Sequence, residues 1–307
     1  MFKDLLLKLI PLYLMIFLGY ISAKKLSAQK ETIAKLLIYI IAPVIIFFGA
    51  LKVEINFANM SFPFLFYFVC CFICILFYFI GKFFYKTDST KNILAFTSGT
   101  GNTGYFGLPV IGILFGDQAF NLAIIMILGT ILYENTLGFF ITAKGNHTIE
   151  ESLIKVVKLP GLYAFALGII LNLLHLEPNE IILSTIQQFK GAYTLLGMMM
   201  IGMGLSTING FSFDLKFISL AFLAKFIVWP LIIFGLVFLD KSFFHIYNSM
   251  IHKIFLLMSI VPLAANTVAF ATELHCHPEK AALTVLLGTL FALFYIPLMV
   301  SIFILKF

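Results

Sequence analysis

Apolar residues gather in ten long segments, at about 5–23, 33–51, 62–84, 93–115, 119–141, 156–175, 189–207, 217–239, 249–273 and 281–305, parted by short polar stretches. A helix needs roughly 20 residues to cross the hydrocarbon core of a bilayer, and each segment comes near that length. The pattern predicts an all-α integral membrane protein with ten transmembrane helices. The first segment follows Lys3 and shows no small-x-small cleavage pattern before Lys24-Lys25, so a retained span is expected rather than a leader. The longest polar stretch, 142–155, is read as a linker loop between a first five-helix unit, 1–141, and a second, 156–307.

Two segments carry residues that end helices. In the fourth, Gly99-Thr100-Gly101-Asn102-Thr103-Gly104-Tyr105-Phe106-Gly107-Leu108-Pro109 sits mid-segment. In the ninth, Pro262-Leu263-Ala264-Ala265-Asn266-Thr267 does the same. Backbone freed from helical hydrogen bonds at membrane depth costs several kcal/mol per group unless it is buried in protein or lines a cavity. A helix broken there is the usual place for a transported substrate. Pro109 suits the first turn of a restarted helix, and Asn266 can cap one. Half-helix N-termini expose N–H groups and a partial positive charge, so two of them facing one site would make an anion cradle. Asn102 and Asn266 would add amide donors and acceptors.

The halves echo each other. Pro11–Gly19 resembles Pro160–Gly168, Asn102-Thr103-x-x-Phe106 recurs as Asn266-Thr267-x-x-Phe270, and Leu128-Gly129-Thr130 recurs as Leu287-Gly288-Thr289. These pairs keep their order at offsets of roughly 150–165 residues, the mark of an internal duplication. A unit of five spans turns its copy over in the membrane, which predicts two inverted five-helix repeats with broken helices 4 and 9 crossing near the midplane. All 20 basic residues are Lys; 12 lie in or beside odd-numbered loops and 7 in or beside even-numbered loops and the termini. That bias places the odd loops in the cytoplasm.

Composition agrees with this picture and narrows the chemistry. The chain is 62% hydrophobic and 11% charged, with mean hydropathy +1.07, against about 25% charged in a soluble domain. Cys70, Cys71 and Cys74 share one apolar segment, where they read as small apolar side chains; neither they nor His275-Cys276-His277 suggest a metal site. The six His residues fall in loops or at segment ends, and no HExxH, GxSxG or paired intramembrane Asp appears, so an intramembrane enzyme is not expected. No Walker A motif is present either.

The run Gly101–Pro109 resembles the fourth-helix signature of the auxin efflux carrier family. Pro262–Asn266 with Ala271-Thr272-Glu273 resembles its ninth helix, Tyr39-Ile40-Ile41-Ala42-Pro43 its second, and Gly202-Met203-Gly204-Leu205-Ser206 its seventh. The resemblance covers essentially the whole chain. It implies ten helices as two inverted repeats, with Asn102, Pro109, Pro262 and Asn266 at the crossing and organic anions as substrates. Plant members have a long central loop that this chain lacks, so auxin itself is not the expected substrate.

The expectation is therefore a secondary transporter moving a mono- or dicarboxylate by alternating access, in a bacterial inner membrane, with a channel or receptor for a small anion as the alternative. The substrate site is placed at Asn102, Thr103, Gly104, Pro109, Pro262, Asn266 and Thr267. Glu134, a lone acid in the fifth segment, is the candidate proton carrier; otherwise it is a structural acid paired with Asn135 or a Lys, or one reaching an aqueous vestibule. Lys225 in the eighth segment is expected to snorkel or to pair with an acid. Asp117 and Glu273 lie near segment ends, where solvated or capping roles fit. Expected partners are the bilayer, a small organic anion, a coupling H+ or Na+ and a second copy of the chain; no cofactor, metal or nucleic acid is expected.

Overall fold

The computed structural model describes residues 2–52, 57–176, 178–206, 214–302 and 304. The side chains of Pro109 and Asp117, and the whole of Lys306, fall outside the described residues. Everything described is helix or connection, with no strand among the described residues. The helices are α1 (Phe2–Leu26), α2 (Lys30–Leu36), α3 (Ala42–Leu51), α4 (Phe57–Phe84), α5 (Thr90–Gly99), α6 (Leu108–Tyr133), α7 (Phe139–Ala143), α8 (Ile149–Val157), α9 (Pro160–Leu173), α10 (Glu180–Ser206), α11 (Leu215–Leu223), α12 (Trp229–Leu239), α13 (Ser249–Ile260), α14 (Asn266–Glu273) and α15 (Pro278–Ile302). Among the described residues, five continuous stretches are long and apolar enough to cross a membrane: Lys30–Leu51, Ser61–Phe84, Gln118–Ala143, Leu215–Phe244 and Pro278–Ile302. The pair α8 and α9, bent by 43°, makes a sixth if taken as one span.

Several helices continue through a widened π turn. Such turns span Leu37–Ile41, Thr103–Gly107 and Ala224–Val228, and in each case the next helix has a proline as its second residue: Pro43, Pro109 or Pro230. The cause is local. Proline has no N–H to give the carbonyl four residues back, and its ring crowds that carbonyl, so the preceding turn opens. Before Pro230 the carbonyl left over is that of Phe226, and the Tyr295 hydroxyl donates to it at 2.6 Å. A further π turn, Glu134–Gly138, joins α6 to α7.

α6 is two helices in one. Gly116 takes φ 79° and ψ −172° and puts a kink between them. Side chains with a Cβ rarely adopt that backbone, so glycine is the residue that lets the chain turn there. The turn falls between the expected fourth and fifth segments.

The helices pack in two groups, the first made of α1, α2, the Leu37–Ile41 turn, α3, α9 and α10, and the groups meet where α10 lies on α15 and α2 on α14. α1 lies along α10 and α3 along α9. Gly19 and Gly202 let α1 and α10 touch backbone to backbone, since a Cβ at either would collide with the main chain of Met199 or Ile16. Small residues at helix contacts allow such close approach. The second group gathers α4, α5 and α6 with α11 to α15, and Gly129 of α6 packs on the Pro63 backbone of α4 in the same way.

The linker is more ordered than a loop. Thr148 caps α8 by accepting from the Glu151 N–H at 3.2 Å, and the Glu151 carboxylate accepts from the Thr148 N–H at 2.9 Å. This reciprocal capping box explains why a stretch read as loop over 142–155 forms a helix from residue 149. Ile149, Leu153, Ile154 and Val157 of α8 are exposed beside Glu150, Lys155 and Lys158, a pattern suited to the boundary between headgroups and acyl chains.

Candidate functional site

The helix-ending residues break the chain where the sequence places them. α5 stops at Gly99, and the π turn that leads into α6 starts at Thr103. α13 stops at Ile260, and α14 begins at Asn266. The two breaks touch: the Asn102 N–H donates to the Pro262 carbonyl at 2.8 Å. Van der Waals contacts close the junction, because a Cβ at Gly101 would meet Val261 at 3.2 Å and one at Gly107 would meet the Met258 sulfur at 2.6 Å.

The cradle of free N–H groups expected here is smaller than the sequence suggests. Besides Asn102, Thr103 donates its N–H to Gly101 O at 2.7 Å, Thr267 to Ala264 O at 3.2 Å and Val268 to Ala265 O at 3.0 Å. Tight turns at each restart use the donors locally. Asn266 also departs from expectation. It is the first residue of α14, with Ala265 at the cap position and no side-chain cap bond. Its amide points away from its own helix.

That amide meets Glu134. The Asn266 Nδ2 donates to Glu134 Oε2 at 2.8 Å and to the Tyr193 hydroxyl of α10 at 2.7 Å. The Thr100 hydroxyl, from the first break, donates to Glu134 Oε1 at 2.7 Å. Glu134 is 4% exposed. Its carboxylate thus joins the two breaks through one donor from each, instead of pairing with Asn135 or a lysine. Asn135 bonds within its own helix, to the Ile131 carbonyl at 2.9 Å. Glu134, Asn135, Tyr193 and Asn266 form the polar end of a cavity of about 20 Å³, enough for a water but not for an organic anion. Its remaining walls are aliphatic or aromatic, from the Leu37–Ile41 turn, α3, α6 and α14.

Lys225 lies on another side of the junction. It is 1% exposed, with Nζ 4.4 Å from the Trp229 ring centre and against Gly101. Neither snorkelling nor an acid partner, the two sequence expectations, is realised among the described residues. Trp229 in turn donates its indole N–H to the Ser98 carbonyl at 2.8 Å, and the Tyr133 hydroxyl donates to Phe96 O at 3.2 Å. These bonds satisfy carbonyls that the end of α5 leaves without helical partners. A cation near such a helix end is favourable.

Of the residues singled out from sequence, Glu134 and Asn266 line the cavity. Asn102 and Pro262 form the backbone junction. Thr103 and Thr267 are buried beside it, and Gly104 has open space where a Cβ would stand. Pro109 occupies the second position of α6. Sequence reasoning did not single out Tyr193 or the role of Thr100. Thr100 lay inside the motif, next to the break. Tyr193 carried no signal, because its place depends on how α10 packs against α14.

A multi-pass helical membrane protein with two interrupted helices bonded at their breaks belongs to the class of membrane transporters. The chain is a member of the membrane transport protein family, whose model matches residues 4–300, and this is the auxin efflux carrier family that the helix motifs resemble. It is 29% identical over 297 residues to an uncharacterized transporter, MJ1031, of Methanocaldococcus jannaschii, an alignment covering 93% of this chain and 94% of that one. Family and relative are transporters, not enzymes.

Proposed function

We propose that the protein is a secondary transporter of a small organic anion, built as ten spans in two inverted five-helix repeats and placed in a bacterial inner membrane. The observation that carries this reading is the meeting of both breaks at one buried carboxylate, beside a cavity that lies between the two helix groups. Separation of the groups would open that cavity to one side of the membrane or the other, which is the motion alternating access requires. The small volume of the cavity, about 20 Å³, favours a carrier over a channel. Glu134 favours proton over sodium coupling, since it is the acid of the cavity and can carry H+ itself.

Reconstituted protein should show saturable carboxylate uptake and counterflow of labelled against unlabelled substrate. Flux without counterflow, linear in concentration, would point to the channel. The repeat topology has its own test. A cysteine replacing Lys144 should react only from the cytoplasm and one replacing Gln118 only from outside; labelling of both from one side rules the topology out. Both positions are exposed, and Gln118 avoids the special backbone of Gly116.

A further inference from the structure

The polar end of the cavity holds a carboxylate and no cation. Asn135, Tyr193 and Asn266 are neutral there, and the chain contains no Arg. Among the described residues, the bonds to Glu134 come from Thr100 and Asn266 and not from another titratable group. Cys70 of α4 lies within electrostatic reach of both Glu134 and Lys225. The Lys225 ammonium is turned toward Gly101 and the Trp229 ring and is not part of the lining. Tyr193 reaches Glu134 through Asn266.

A second carboxylate brought about 4 Å from an ionised Glu134 would bind roughly a thousandfold less tightly than to a neutral site, even in a fairly polarisable interior. A proton on Glu134 removes that repulsion and supplies an O–H donor for the incoming anion. Thr100 can go on donating to Oε1, while the protonated Oε2 donates to the substrate and the Asn266 amide turns from Glu134 toward it. One anion and one proton then enter together, and the charge of the site is unchanged. The remaining lining, Ile38, Ile45, Ile46, Ile131 and Phe270 among it, offers no donor from its side chains. A second carboxylate on the substrate would be buried there unpaired.

We infer that Glu134 must be protonated for the anion to bind, so that this carrier moves one proton with one monocarboxylate of apolar body. The inference rests on the anion-carrier reading above, and the test separates the failure of each.

Three six-carbon probes suffice: hexanoate, adipate and hexylamine, titrated calorimetrically into the purified full chain between pH 6 and 9. Hexanoate should weaken by about tenfold per pH unit above the titration of Glu134 and take up one proton per molecule bound, read from buffers of different ionisation enthalpy. Glu134→Gln, which mimics the neutral acid, should bind hexanoate with the same affinity at every pH. Adipate should bind at least about tenfold more weakly than hexanoate. Proton uptake is read on the unaltered protein, so the inference stays testable even if the variant does not fold. Hexanoate binding with no pH dependence and no proton uptake would overturn the inference and leave the anion carrier standing. Adipate binding as tightly as hexanoate would overturn the apolar-body assignment. Failure of both acids to bind, or hexylamine binding that strengthens with pH and vanishes in Glu134→Gln, would remove the anion-carrier reading itself.

Discussion

Asn266 shows how one side chain can serve two elements. A cap role was the natural expectation for an Asn at a helix start, yet its amide bridges Glu134 and Tyr193 instead. The residue scale therefore yields a sharp contrast. With the Asn266 amide turned to the bound substrate, Asn266→Ala removes a donor to the substrate carboxylate, a loss of roughly 1.5–3 kcal/mol, and should weaken carboxylate binding by about tenfold to a hundredfold. Tyr193→Phe removes a bond between neutral groups and should cost about 1 kcal/mol. Affinities of the two variants for one carboxylate, measured at the same pH, check the order. If Tyr193→Phe proves the more damaging, the Asn266 amide does not turn to the substrate carboxylate. Asn102→Ala should be milder than Asn266→Ala, because the junction with Pro262 uses the Asn102 backbone, which the substitution leaves in place.

At the scale of elements, the breaks were legible and their consequences were not. Clustered Gly, Pro and Asn at mid-segment mark an interruption in any single sequence. The widened turns were half-legible. Pro43 and Pro230 announce a missing N–H, but which group takes up the freed carbonyl depends on the facing helix. The Tyr295 bond to Phe226 O can be tested directly. Tyr295→Phe leaves that carbonyl without its donor at membrane depth, which should cost roughly 1–3 kcal/mol and lower the melting temperature while α15 keeps its ring stacking on Phe291. An unchanged melting temperature would mean the widened turn finds another donor. The helix α8 was missed for a different reason: its Thr148–Glu151 capping box is a four-residue signal inside a stretch classed by polarity alone.

Connections between elements carry their own pH dependence. The 85–90 connection, the start of α11 and the 274–278 connection meet through Asp88, Asp214, His277 and Lys280. His277 contacts Asp88 at 2.8 Å and Glu279 at 3.4 Å, and Lys280 reaches Asp214 at 3.1 Å. The bond with Glu279, aided by Asp88 and opposed by burial, raises the His277 pKa above its ordinary value. Burial pushes Asp88 upward, but hydrogen bonds from Thr90 and His277 outweigh it and hold Asp88 at about 2. The signs differ. The His277 contribution is complete below about pH 6.5 and is lost as pH rises through the raised value; the Asp88 contribution is complete above about pH 4 and is lost toward pH 2. Melting temperature should therefore fall between pH 6 and 8.5 in the native protein and fall less in His277→Gln. Parallel curves for the two would assign the pH dependence to other groups.

Across the whole molecule, the periodicity of apolar residues, the two breaks and the turn near Gly116 follow from the sequence because each depends on local backbone chemistry. The partners of Glu134 and Lys225 do not, because they are set by packing between distant helices. That packing has a recurring device. Three tyrosines of the first helix group reach across to the second: Tyr13 of α1 donates to Thr289 O at 2.9 Å, Tyr39 to the Glu273 carboxylate at 3.1 Å, and Tyr193 accepts from Asn266. If the groups separate during transport, these ties must break. Tyr13 and Tyr39 do not line the cavity, so removing their hydroxyls tests the motion without touching the site. At about 0.5–1.5 kcal/mol per bond, the double variant Tyr13→Phe, Tyr39→Phe should shift the balance between closed and separated arrangements by roughly 1–3 kcal/mol, or about 5- to 150-fold. Hydrogen exchange should then quicken in α14 and α15, where the ties land, while α5, buried within the second group, keeps its protection. Exchange that quickens uniformly, in step with a lower melting temperature, would show that the tyrosines hold the fold together and do not govern the separation of the two groups.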